Sequence, residues 1–280
     1  MLENIRLSFQ GVWSHRLRSF LTMLGIIIGI AAIIAIVSTI KGTNEQIKKN
    51  LIGSGTNTTT VQLTEEGNYP AEMEYGIPKG IPVLDDDMRQ QLADIDHVKD
   101  ASLYVSRTQV DYIYYNDTSL SGGQLIGADS HYLGTCGYIM KRGRGFTDSD
   151  YEKYRKVAVI DSVAADSLFG DANPVGKTID IKGEPFIVVG VIEESTAFSP
   201  VINSVEDYYT YVYNDGSASG IVVIPDVDWN IVQQYDEPQN AKLLADSTDN
   251  MTSVGKAAQT LLNETVTSKS IKYRAANMNE

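Results

Sequence analysis

Between Phe20 and Ile40 the chain runs for 21 residues without a charge (FLTMLGIIIGIAAIIAIVSTI), and its polar members Thr22, Ser38 and Thr39 sit near the ends. At 1.5 Å per residue a helix of this length is about 31 Å long, the thickness of a bilayer's hydrocarbon core. A cleavable leader fits poorly, because the apolar run is too long, 19 residues precede it and no A-x-A site follows. The only cysteine, Cys136, lies far downstream, which leaves no lipobox and no internal disulfide framework. The expectation is a transmembrane helix over 20–40, in the plasma membrane and in contact with lipid.

Charge separates around that span. Residues 1–40 carry three Arg against one Glu, whereas residues 41–280 carry 20 basic and 35 acidic side chains. So acidic a remainder excludes nucleic acid as a partner, since phosphate binding needs clustered Lys and Arg. Positive charges flank the span on both sides (Arg6, Arg16 and Arg18; Lys41, Lys48 and Lys49), so their count does not orient it. The stretch before it does. Leu2, Ile5, Phe9, Val12, Trp13, Leu17 and Phe20 approximate one helical face, making residues 1–19 a basic amphipathic elbow suited to an anionic cytoplasmic leaflet. This places the N-terminus in the cytoplasm and residues after about 41 outside. Within the span, Gly25 and Gly29 form GxxxG, and Ala31 and Ala35 repeat the small-xxx-small spacing that lets another helix approach closely.

Residues 41–52 have helical composition and extend the membrane helix as a stalk, with Ile40, Ile47 and Leu51 on one stripe. Beyond it, 58–63, 178–181, 186–191, 221–224 and 270–274 read as strands, and 98–115 as more than one. Asp85 and Asp161 are N-caps for short helices reaching about 94 and 170, and 250–262 is a last amphipathic helix. Lys182-Gly183-Glu184 marks a hairpin turn between the strands 178–181 and 186–191. The segments 65–82 and 193–220 read as loops, the second holding Tyr208, Tyr209, Tyr211 and Tyr213. Interleaved strands and helices make the part beyond the membrane α+β.

Several motifs approach chemistry without reaching it. Gly170 to Thr178 (GDANPVGKT) imitates a phosphate-binding loop with one residue too many between its glycines, and it runs into a strand rather than a helix. Asp226, Asp228, Asn230 and Glu237 fall at calcium-loop positions, but Ile231 replaces the obligatory glycine, so a solvated acidic loop is expected. Ala218 stands where a nucleophile elbow needs serine. His15, His97 and His131 show no ligand spacing, and Asp85 to Asp87 read as a helix cap. No catalytic residue, cofactor site or metal site is expected, and the chain reads as no enzyme.

Two blocks are similar to the permease subunits of MacB-like ABC transporters, members of the FtsX-like permease superfamily. The first is Trp13 to Ala32 (WSHRLRSFLTMLGIIIGIAA), resembling that family's basic elbow and first membrane helix. The second is an ordered series: Gly127 to Asp129, Lys141 to Thr147 (KRGRGFT), Val157 to Ile160, Leu168 to Gly170, Asn173 to Lys177 (NPVGK) and Phe186 to Val191 (FIVVGV). The resemblance implies an extracytoplasmic core domain over 53–280, with a porter-like α/β part (53–115 and 221–275) and a strand-rich insertion (120–215). It further implies a dimer with a second permease copy, a cytoplasmic ABC ATPase as partner, and an extracytoplasmic adaptor as a further candidate. In such machines closure inside is transmitted through membrane and stalk helices to the outer domains, for efflux or extraction. The family's permeases have three more membrane helices after the outer domain, so this chain is expected to be the N-terminal part of a longer permease. The rival expectation is a single-pass anchored binding or sensing protein using its tyrosine-rich loop.

Overall fold

The computed structural model describes residues 16–51, 57–65, 71, 78–193, 220–233 and 239–275. They belong to two compact units, Met1–Lys48 and Lys49–Glu280. The first is dominated by helix α1 (Arg16–Leu51), 36 residues without a break. It contains no proline, and its Ile-rich centre is apolar all round rather than on one stripe, the pattern of a helix with no water-facing side. At 1.5 Å per residue it is about 54 Å long, well beyond what a bilayer core requires.

The second unit, the head, is built on one twelve-stranded mixed sheet. In chain order its elements are β1 (Thr58–Thr64), α2 (Asp86–Ala93), β2 (Val98–Val110), β3 (Ile113–Tyr115), β4 (Thr118–Ser119), β5 (Gly123–Ala128), α3 (Tyr132–Thr135), β6 (Ile139–Gly143), α4 (Asp148–Glu152), β7 (Val157–Asp161), α5 (Ser162–Phe169), β8 (Thr178–Ile181), β9 (Glu184–Glu193), β10 (Ile221–Pro225), α6 (Trp229–Val232), β11 (Asn240–Ala245), α7 (Met251–Glu264) and β12 (Lys272–Ala275). Strands follow the order β12-β1-β11-β2-β5-β10-β7-β9-β8-β3-β4, with β6 paired to β9 off that path. β5 with β10 and β7 with β9 are parallel pairs, and the other pairings are antiparallel.

Local signals start and stop these elements. Asp85 Oδ1 accepts the Met88 N–H at 2.9 Å, capping α2. Asp161 Oδ1 accepts both the Ala164 N–H at 2.7 Å and the Ile221 N–H at 2.9 Å. One carboxylate thereby caps α5 and fixes the entry of β10. Lys182 and Gly183 form a two-residue loop with φ of 55° and 88°, the left-handed geometry of a tight hairpin between β8 and β9. Asn173 to Lys177 is a turn leading into β8, with the Gly176 N–H donating to Val188 O at 2.8 Å.

The head has two main hydrophobic cores. One packs α2 and α7 on β12-β1-β11-β2 and includes Val61, Leu92, Leu103, Leu243, Val254, Leu262 and Tyr273. The other gathers Leu125, Ile160, Leu168, Phe169, Ile181, Phe186, Val222 and Ile224. A third, smaller cluster covers the opposite face of the central strands with Tyr104, Ile126, Tyr132, Val159, Ile192 and Val223. Successive residues of β5, β10 and β7 thus enter different clusters, so these strands are buried on both faces and read as unbroken apolar runs. β2 joins the cores, with Leu103 in the first and Val105 and Val110 in the second. β10, which the family resemblance groups with 53–115, pairs with β5 on one side and β7 on the other.

Candidate functional site

Among the described residues two regions carry physical features that packing alone does not require. The first is the surface of α1. Between Phe20 and Lys41 an 18-residue window reaches a mean hydropathy of 2.9, and none of that window is buried. Large apolar side chains, Leu24 at 40% and Ile26 at 64% among them, face outward all round. In water this surface would be strongly unfavourable, because apolar area costs about 25 cal/mol per Å² exposed. Its solvent is therefore lipid, or the apolar side of other helices. The two threonines between Phe20 and Lys41 are satisfied within the helix: Thr22 Oγ1 donates to Arg18 O at 3.1 Å and Thr39 Oγ1 to Ala35 O at 2.9 Å. At Gly25 and Gly29 a methyl group would meet nothing within 4 Å. Ala31 and Ala35 are likewise exposed, as is Ile40. Ile47 and Leu51 lie in the helical backbone, with side chains outside the described set.

The second region is polar and lies inside the head. Asp150 is fully buried, and Arg144 grips it with Nη1–H donating to Oδ2 at 2.6 Å and Nη2–H to Oδ1 at 3.1 Å. Thr147 adds its backbone N–H and its hydroxyl to Oδ2, at 2.9 and 2.8 Å. Burial alone would raise this carboxyl, but Arg144 and Thr147 outweigh it and hold it below the usual range. Asp150→Ala is expected to cost about 2–3 kcal/mol in denaturant unfolding of the detergent-solubilised chain. Because the folded value is depressed, this contribution is present above pH 3.8 and lost as the pH falls through the lower folded value.

Close to that pair lie Tyr151, whose hydroxyl donates to Ala128 O at 3.1 Å, and Asp129, whose oxygens accept the Leu103 and His131 N–H groups at 2.7 and 3.0 Å. Burial pushes Asp129 up to about 6. Asp226 and Asp228 complete the cluster from the 3-10 turn Asp226–Asp228 that precedes α6. The solvated loop expected there is corrected by the structure: Asp228 is completely buried, because the turn folds back over β5 and seats Trp229 against Gly127 and Val105. Glu237 lies outside the described residues. Among the described residues no three His, Cys, Asp or Glu side chains converge as a metal site requires.

The other sequence candidates are dispersed. His97 Nδ1 meets Asp246 at 2.9 Å on the surface, and His131 Nδ1 meets Asp100 at 2.9 Å. Cys136 is buried beside Tyr132 and Lys242, and burial raises its thiol. A cleft of about 240 Å³ beside Gly170 and Pro174 is lined by Lys141, Arg142, Asp166 and Asp171. Its cations are already engaged, Lys141 by Glu193 at 3.2 Å and Arg142 by Asn173 at 3.3 Å. His15 and Tyr208 to Tyr213 lie outside the described residues.

One backbone feature ties the head to its sequence pattern. β6 and β9 cross at Gly143 and Gly190, which face each other in register. Gly143 has φ of 78°, and a methyl there would lie 2.2 Å from Val189 O. A methyl on Gly190 would lie 2.2 Å from Arg144 O. This crossing delivers Arg144 to Asp150.

A sequence model of the MacB-like periplasmic core domain matches residues 19–261. The chain belongs to this family. It is 35% identical over 269 residues to the uncharacterized ABC transporter permease YvrN of Bacillus subtilis (strain 168), covering 94% of this chain and 62% of that protein. It is 32% identical over 213 residues to the macrolide export ATP-binding/permease protein MacB of Campylobacter fetus subsp. fetus (strain 82-40), covering 76% of this chain and 32% of that protein. The chain thus spans less than two thirds of either relative. The head's fold is that of the periplasmic region of MacB from Actinobacillus actinomycetemcomitans, at a TM-score of 0.55 and 19% identity, covering 80% of this chain and 91% of that one. The extracellular domain of the ABC-type transporter YknZ from Gram-positive bacteria shares it, at a TM-score of 0.52 and 21% identity, covering 79% of this chain and 100% of that one. The fold shared with these structures is the mixed-sheet head, which in this chain follows an apolar helix, and the relatives are ABC transporter permeases.

Proposed function

We propose that this chain is the N-terminal part of a permease subunit that carries the effect of cytoplasmic ATP hydrolysis to a head outside the membrane, for efflux or extraction. The observation that carries the reading is α1: one helix of 36 residues holds both the lipid-compatible span and the turns that lead toward the head. A helix resists bending over this length, whereas a flexible linker would absorb the displacement. In this reading Ile40, Ile47 and Leu51 are coupling positions on the stalk. Gly25, Gly29, Ala31 and Ala35 let a neighbouring membrane helix approach closely. The partners are a cytoplasmic ABC ATPase, a second permease copy and an extracytoplasmic adaptor. The N-terminus is cytoplasmic and residues after about 41 are outside. The head works as two parts, 53–115 with 221–275 and an insertion over 120–215, with β10 seated on the insertion side.

The test is a flexible Gly-Ser stretch inserted after Lys48 of the full-length permease assembled with its ATPase. Spin labels at Asp117→Cys of two copies, in a Cys136→Ser background, report the spacing of the heads. An ATP-dependent change in spacing is expected in the parent and lost after insertion while ATP turnover persists. An undiminished change after insertion would reject transmission through a stiff helix.

A further inference from the structure

Asp228 stands apart from the other acids of the head. Among the described residues neither of its carboxylate oxygens meets a hydrogen-bond donor, and both are shut off from solvent. An ionised carboxylate in that position lacks both water and donors, a costly combination, whereas a neutral carboxylic acid is tolerated. The surrounding groups do not supply what is missing. Lys156 favours the charged form, but its ammonium is engaged by Glu184 at 2.6 Å. Asp150 faces it from α4 and is committed to Arg144, and Asp226 faces it from the same turn, held by the backbone N–H groups of Val227 and of Asp226 itself. Tyr151 from α4 directs its hydroxyl to Ala128 O, and Asp129 at the end of β5 is occupied by the Leu103 and His131 N–H groups. Among the described residues the Trp229 indole N–H is buried without an acceptor as well, so two adjacent residues hold orphan polar atoms, the others being on Ser102 and Gln239.

The location gives the proton a consequence. Residues 226–232 leave β10, which belongs to the second core, and lead in sequence to β11, which belongs to the first. Trp229 and Val232 anchor this segment in the second core.

We propose that Asp228 is a proton-binding site, neutral in the folded head under acidic conditions, and that its ionisation as the pH rises loosens the 226–232 segment that leads from the second core towards the first. The inference is independent of the transport reading, since it concerns the head alone. Burial first, then Asp226 and Asp150, push the Asp228 carboxyl up to about 6 from 3.8. A carboxyl raised in the folded state makes the head most stable below the unfolded value, and that stability is lost as the pH rises through about 6. Between pH 8 and pH 5 such a shift changes the unfolding equilibrium by about 10-fold. His97, raised by Asp246 and Asp96, acts in the same direction and must be removed from the comparison.

The experiment uses the full chain in detergent and compares His97→Gln with His97→Gln/Asp228→Asn by denaturant unfolding at pH 5 and pH 8. The double variant is expected to be more stable at pH 8 and to lose about 10-fold of the pH dependence. An unchanged pH dependence, or a double variant less stable at pH 8, would overturn the proposal. Hydrogen exchange of the His97→Gln chain, corrected for intrinsic rates, covers the case in which Asp228→Asn does not fold. Protection of residues 226–232 is expected to fall between pH 5 and pH 8 relative to Ile179 and Ile181, and a constant ratio would overturn it.

Discussion

Replacing Gly190 by alanine is expected to leave the head unfolded or nearly so. The added methyl would sit 2.2 Å from Arg144 O, and the obstacle is backbone rather than the tip of a flexible side chain. To relieve it, β6 must separate from β9, and that movement withdraws Arg144 from buried Asp150. Overpacking in a tight core costs about 1–3 kcal/mol, and loss of a buried ion pair's geometry adds to it. Together these approach the whole stability of a typical domain, about 5–15 kcal/mol. Gly183→Ala is the matched control, because a methyl there meets nothing within 4 Å and the cost is confined to its positive φ, about 1 kcal/mol. Thermal unfolding of the two variants in detergent should separate them widely. Equal midpoints would mean that the crossing yields to a methyl group, and the account of the glycine pair would fail.

The sequence elements that resembled the family acquire a physical reason at this crossing. Gly143 and Gly190 sit in the KRGRGFT and FIVVGV stretches because two backbones pass too closely there for any side chain. Much of the fold was legible for equally local reasons. Asp85 and Asp161 announced helix starts, Lys182-Gly183-Glu184 a hairpin whose loop is its first two residues, and Phe20 to Ile40 an apolar helix long enough to span, since each feature is decided locally. β11, short at Asn240 to Ala245, escaped notice although it lies between β1 and β2, because its inward positions are Ala241, Leu243 and Ala245 and an apolar Leu244 on the other face blurs the alternation. β10 announced itself as a buried strand, but its neighbours could not be read, since pairing with β5 and β7 is fixed by residues about 60 to 100 positions away. The polar cluster was missed altogether. Asp226 and Asp228 look like a hydrated calcium-loop remnant in sequence, and only the folding of Trp229 onto Gly127 reveals that one of them is sealed from water.

Two arginines in the middle of α1 are expected to release the chain from the membrane. Ile30 and Ile33 lie at the centre of the exposed apolar window, at 54% and 63% exposure, and none of that window is buried by the described residues. Each arginine at mid-span costs about 2.5–3.5 kcal/mol on insertion scales, so the pair adds about 5–7 kcal/mol. Snorkelling recovers little there, because both ends of the hydrocarbon are about 15 Å away along the helix. The parent chain should resist alkaline carbonate extraction, while Ile30→Arg/Ile33→Arg should appear in the soluble fraction or be degraded. Gly25→Leu/Gly29→Leu provides the contrast: it fills the notch without adding charge, so it should remain membrane-bound. If the helix were instead held in a water-soluble assembly by its notch, the leucine variant would be the one displaced and the arginine variant would show no such selectivity. The two results therefore separate lipid from protein as the principal solvent of α1, and the permease reading requires lipid.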